Sequence, residues 1–165
     1  MKNDSFTFSV DRDARAIRVS RRFAAPQAMV WSAWTEADLL DRWWGPAPYR
    51  AETKEMDFRE GGRWLYAMVG PDGAVGRYSR AAFLSITPRS EFRTHTAFCD
   101  AEGVVAPDWP GSNWQVRFTP EDDETRVDIE IRYTDLSILE TIIDLGFREG
   151  FTRGLQQLAD LLAER

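Results

Sequence analysis

Cysteine and histidine are almost missing from this chain: Cys99 and His95 are the sole examples of each. A single thiol cannot close an internal disulfide, and a reducing cytoplasm is the compartment that fits such a composition. A lone imidazole excludes a His-rich metal site and any catalytic pair of histidines. No metal-ligand spacing and no Gly-rich phosphate loop occurs, so no metal and no cofactor is implied. No apolar run approaches the ~18 residues of a membrane span. The opening MKNDSFTFSV lacks the charged-then-apolar pattern of a secretory signal. Basic residues are scattered and outnumbered, 21 Lys and Arg against 27 Asp and Glu, so nucleic acid is not an expected partner.

Aromatic residues are abundant instead. They make up 13% of the chain, with seven Trp and ten Phe, within a hydrophobic fraction of 43%. At 165 residues with no repeat, linker or low-complexity segment, the expectation is one domain spanning 1–165.

The segment 135–165 reads as helix. Ser137 and Glu140 have the spacing of a capping box. Phe147, Phe151, Leu155, Leu158 and Leu162 recur in steps of three or four and share a face. Ile138, Ile142 and Leu145 centre on another side, which predicts a short first helix, a bend near Gly146 and a long second helix. Gly146, Gly150 and Gly154 are spaced by four. Each costs about 1 kcal/mol in a helix interior. The row therefore implies either close approach of another element or space left for a ligand.

Ahead of this segment the period is mostly two. Phe6, Phe8 and Val10, then Ile17, Val19 and Phe23, read as two short extended pieces or one interrupted strand around Asp11-Arg12-Asp13. Two short helices follow. The first starts after Pro26 and the second has Thr35 as its expected N-cap; it stops at Trp43-Trp44-Gly45-Pro46. Strands are then expected over 49–58, from Trp64 to Met68, over 75–86 and 91–99, from Trp114 to Phe118, and through Val127, Ile129, Ile131 and Tyr133. Tight turns at Gly61-Gly62, at Gly70-Pro71-Asp72-Gly73 and at the acidic cluster Glu121 to Glu124 separate some of them. Short turns make neighbouring strands antiparallel. A sheet with one apolar face needs a cover, and the C-terminal helix is the candidate of the right length. The fold class is therefore α+β: a curved antiparallel sheet of six to seven strands around a long C-terminal helix, with the two short helices closing one end.

Several stretches, in this order, resemble one known family. They are Arg22-Phe23-Ala24-Ala25-Pro26, Val30-Trp31-Ser32-Ala33-Trp34-Thr35, Trp43-Trp44-Gly45-Pro46, Asp57-Phe58-Arg59-Glu60-Gly61-Gly62, Gly70-Pro71-Asp72-Gly73 and Gly150-Phe151. The chain is similar, from about Ile17 to Leu162, to the activator of heat-shock-protein-90 ATPase homologue (AHA-type) branch of the SRPBCC superfamily, related to START domains and the Bet v allergen fold. The chain departs from the pattern at Gly150-Phe151, where Gly-Trp is common, and at Ala81-Ala82-Phe83-Leu84-Ser85-Ile86. The resemblance implies a helix-grip fold with a cavity between the sheet and the last helix. It also implies a ligand-binding, cyclase-like or co-chaperone-like role.

The first of these roles fits the aromatic content. Trp64, Tyr66, Phe83, Phe98, Trp114 and Phe151 are expected toward the cavity beside Gly150, with Trp44 and Trp109 at its mouth. The irregular stretch 100–112 is the expected lid. The implied partner is a small hydrophobic or aromatic molecule; a protein partner is an alternative without support of its own. By strand parity His95 lies opposite Phe92, Thr94 and Phe98 and so faces away from the cavity. No catalytic residue is assigned, and an enzyme is not the expected reading.

Overall fold

The architecture was analysed on a computed structural model. The structure describes residues 6–108 and 111–164. Eight strands form one antiparallel sheet: β1 (Thr7–Asp11), β2 (Ala16–Phe23), β3 (Arg50–Met56), β4 (Arg63–Val69), β5 (Val75–Thr87), β6 (Glu91–Cys99), β7 (Ser112–Glu121) and β8 (Glu124–Tyr133). Their spatial order is β1-β2-β8-β7-β6-β5-β4-β3. The expected count of six to seven was short because the Phe6–Phe23 segment makes two strands. The turn between them lets Phe8 pair with Val19 and Val10 with Ile17. The short helices therefore follow the second strand.

Those helices are α1 (Gln27–Thr35) and α2 (Ala37–Trp43). They occupy one end of the concave face. Trp43 is fully buried there, and its indole N–H donates to the Ala33 carbonyl at 2.8 Å. The Thr35 hydroxyl does not cap α2; it donates back to the Trp31 carbonyl, and Glu36 holds the N-cap position. At the far end of α2, a Cβ on Gly45 would sit 2.5 Å from the Arg50 backbone. Only glycine admits the close approach by which the chain turns from α2 into β3.

The C-terminal segment divides as the shift in its apolar stripe predicts. α3 (Leu136–Asp144) and α4 (Phe147–Ala163) are separated at Gly146, whose φ of 96° is left-handed. Glycine adopts that conformation without the steric cost other residues bear. The glycine row is thus broken at its first member. α4 buries Phe151, Leu155, Leu158, Leu161 and Leu162 against the sheet and α2. Each such side chain contributes about 1.5–3 kcal/mol of transfer free energy. In α3 Leu139 is the buried residue. The expected capping box is not formed: Glu140 instead pairs with Arg12 at 2.8 Å, and Asp135 takes the N-cap position without a side-chain bond.

Candidate functional site

The concave face is filled at one end and open at the other. At the filled end Trp31 meets Phe58, Phe92 and Phe118 edge-on, with centroids 5.1 to 5.9 Å apart. At the other end the sheet, α3 and the first turns of α4 enclose a cavity of about 400 Å3. That lies within the usual range for small-molecule sites, ~300–1,000 Å3. Leu145, 71% exposed, belongs to its wall, so the cavity opens to solvent beside α3.

Strand alternation positions the sheet side of the wall. Tyr66 and Met68 come from β4, Arg77 and Ser79 from β5, Thr96 and Phe98 from β6. Trp114 and Tyr133 extend it on β7 and β8. Ile138, Ile142 and Leu145 supply the α3 side, and Phe147, Gly150 and Phe151 the α4 side. Phe147 and Phe151, four residues apart on one helix face, stack with centroids 5.1 Å apart and planes at 16°.

Trp44 is the floor rather than the mouth. Its ring lies 5.5 to 6.0 Å from the rings of Trp34, Trp64, Trp114 and Phe151, edge-on or tilted. Such separations are those of favourable aromatic pairs. Trp44 follows α2 directly, and the close turn at Gly45 swings it over the sheet. Beneath it is a void of about 30 Å3 lined by Trp34, Trp64, Phe83 and Phe92, among others. The indole N–H of Trp34 is buried there without an acceptor among the described residues.

Of the residues expected at the cavity, Trp44, Tyr66, Phe98, Trp114, Gly150 and Phe151 line it together. Trp64 and Phe83 lie deeper, around the small void. Trp64 stacks on Tyr66 at 4.0 Å and donates to the Thr53 hydroxyl at 2.9 Å, so it serves the core. Trp109 lies outside the described residues. Sequence reasoning missed the α3 wall, although the off-axis placement of Ile138, Ile142 and Leu145 was the signal for it. It also missed Arg77, which no apolar pattern marks.

Residues 101–106, part of the expected lid, lie away from the cavity. Val105 bridges to Cys99, and Ala106 N–H donates to the Phe98 carbonyl at 3.0 Å. Arg80 and Lys54 donate to the carbonyls of Gly103 and Ala101 at 3.0 and 2.7 Å. The described part of the loop therefore covers the outer face of β4 to β6; at its end Gly111 and Ser112 reach the cavity. Unpaired carbonyls at the end of β6 and long cations on β3 and β5 draw it to that side. His95 is also on the outer face, with Nδ1 2.9 Å from the Asn113 Oδ1. Cys99 is buried, and burial pushes its thiol above the ordinary value.

The polar groups inside are few. Burial pushes the Tyr66 phenol up, against the hydrogen-bonding pull of Trp44 and Ser79. Burial likewise raises the Tyr133 phenol. Thr94 and Thr96 share a hydroxyl hydrogen bond of 2.9 Å, and Trp114 Nε1 donates to the Ser112 hydroxyl at 3.0 Å. Among the described residues no carboxylate, imidazole or thiol lines the cavity. No group of three or more His, Cys, Asp or Glu among them could hold a metal ion.

A family model described as Activator of Hsp90 ATPase homolog 1-like protein matches residues 24–163. The chain belongs to this family. The solved structures bear out the helix-grip architecture of this Activator of Hsp90 ATPase homolog 1-like chain. Protein Ms6760 from Mycobacterium smegmatis is 28% identical with a TM-score of 0.86, the match covering 95% of this chain and 96% of that one. A protein from Arthrobacter aurescens is 24% identical with a TM-score of 0.89, over 96% and 92% of the two chains. CalU16 from Micromonospora echinospora is 21% identical with a TM-score of 0.63, over 97% and 85%. The last two likenesses speak for the fold alone. No curated protein matches the sequence. No helix among the described residues is long and apolar enough to cross a membrane.

Proposed function

We propose that this protein binds a small hydrophobic or aromatic molecule in the cavity between its sheet and its two C-terminal helices. The observation that carries the reading is the open cavity of about 400 Å3 walled by Trp44, Trp114, Phe147, Phe151, Ile138 and Ile142. Apolar walls with a few hydroxyls are the composition of a small-molecule pocket. Binding is favoured over catalysis because general acid–base chemistry needs a group that titrates near the working pH. The tyrosines that line the cavity are moved away from neutrality, not toward it.

Titration with the neutral probe N-phenyl-1-naphthylamine tests this. Entry enhances probe emission and quenches tryptophan through Trp44 and Trp114. Gly150→Leu, which places a branched side chain in the wall, abolishes both signals while the circular dichroism spectrum is kept. A folded wild-type protein that takes up no probe to its solubility limit overturns the reading.

A further inference from the structure

The concave face of this sheet buries apolar side chains, and Arg77 breaks that rule at the rim of the cavity. It is the one charged residue among the described residues that line it. Alternation along β5 puts Arg77 on the face of Ser79, Ala81 and Phe83, which are buried. Tyr78 pairs with Ala67 and Val75 with Val69, so β5 carries one extra residue over that interval. Gly76 and Arg77 lie in the resulting bulge, where the ladder is locally disrupted beside the rim. The guanidinium centre sits 4.8 Å from the centroid of Phe98, another wall residue. This cation–π contact holds the cation beside the opening.

No described carboxylate neutralises it. Arg18, Arg63, Arg93 and Arg126 each pair with an Asp or Glu at the surface, whereas Arg77 forms no ion pair among the described residues. A planar guanidinium fork, held beside a ring and left without an anion among the described residues, matches a carboxylate in two parallel hydrogen bonds. We infer that the molecule taken up is an amphipathic anion, its apolar body among Trp44, Trp114, Phe147 and Phe151 and its carboxylate at the rim on Arg77. This rests on the cavity being a ligand site.

The test compares 2-naphthoate with 2-naphthylmethanol, which share a body and differ in charge, by displacement of N-phenyl-1-naphthylamine. Wild-type protein prefers the carboxylate by about tenfold, the scale of one charge-assisted pair at a partly exposed site. High salt shrinks the preference. Arg77→Gln removes it, bringing the carboxylate-to-alcohol affinity ratio to about one; Arg77→Lys keeps part of it. Equal ratios in wild type and Arg77→Gln, with the neutral probe still bound, overturn the anion assignment and leave the cavity reading standing. Failure of the neutral probe to enter wild-type protein overturns both.

Discussion

The side-chain amide of Gln157 donates to the Gly45 carbonyl at 2.9 Å. The same amide donates to the Trp43 carbonyl at 3.1 Å, and its oxygen accepts from Ala47 N–H at 2.8 Å. One residue of α4 thus satisfies three backbone groups at and just past the end of α2. These are the groups that orient Trp44, the cavity floor. Gln157→Leu keeps the volume and removes the clamp, leaving part-buried carbonyls unpaired. The expected cost is about 2–3 kcal/mol. The melting temperature falls by roughly 5–10 °C for a domain of this size. An unchanged thermal melt refutes this account of the α2–α4 junction.

Gly150 and Gly154 separate two uses of glycine on one helix. A Cβ on Gly154 would meet the Trp43 carbonyl at 3.5 Å, and one on Gly150 would meet Pro46 Cγ at 3.6 Å. Either position accepts Ala, with a gain of up to about 1 kcal/mol from helix propensity. Larger side chains diverge. Gly154→Leu overpacks the α2–α4 contact and costs about 1–3 kcal/mol. Gly150→Leu projects at the cavity and leaves denaturant stability nearly unchanged. Equal losses at the two positions contradict the distinction.

Acid weakens the outer face of the sheet. The Arg93 guanidinium holds the Glu91 carboxyl below its ordinary value, and Arg18 does the same for Asp11. Carboxyls depressed in the folded state bind protons more readily once unfolded. Their contribution is therefore complete above the unfolded values near 4 and is lost as pH falls through the folded ones. The urea midpoint should hold steady from pH 7 to about 5 and decline below about 4. Arg93→Gln should shallow that decline; an identical pH profile would remove Glu91 from the explanation.

Cys99 reports on the loop that covers it. Its burial and the raised thiol predict slow reaction with a disulfide reagent in the folded protein, because thiolate is the reactive form. Val105→Gly loosens the bridge from the loop to Cys99 and should speed the reaction several-fold without changing the midpoint of global unfolding. Immediate labelling of wild-type protein would show that the loop does not cover the thiol.

Much of the fold was legible because its signals are local. Val127, Ile129, Ile131 and Tyr133 alternate, and all four are buried on β8. The shifted stripes of α3 and α4 gave away the break at Gly146. What escaped was set by tertiary geometry. Ser137 and Glu140 have capping-box spacing, but Arg12 competes for Glu140 from a distant turn. The 100–112 loop had the length of a lid, yet nothing local said on which side of the sheet it would fall. Trp44 looks terminal in sequence, and the close turn at Gly45 makes it central. Arg77 shares the parity of the buried Ser79, Ala81 and Phe83, but a charged residue carries no apolar signal, so alternation did not mark it as part of the wall.

The break at Gly146 also divides the C-terminal segment into two stability regimes. α4 is anchored by six buried positions and α3 by Leu139. Few buried contacts mean a low free energy of local opening. Amide hydrogens of 138–145 should exchange well before those of 155–162, although the two stretches are nearly continuous in sequence. The wall of the cavity can then loosen and re-form while the pillar beside it stays in the core. A bound molecule would announce itself as slowed exchange in the first stretch alone.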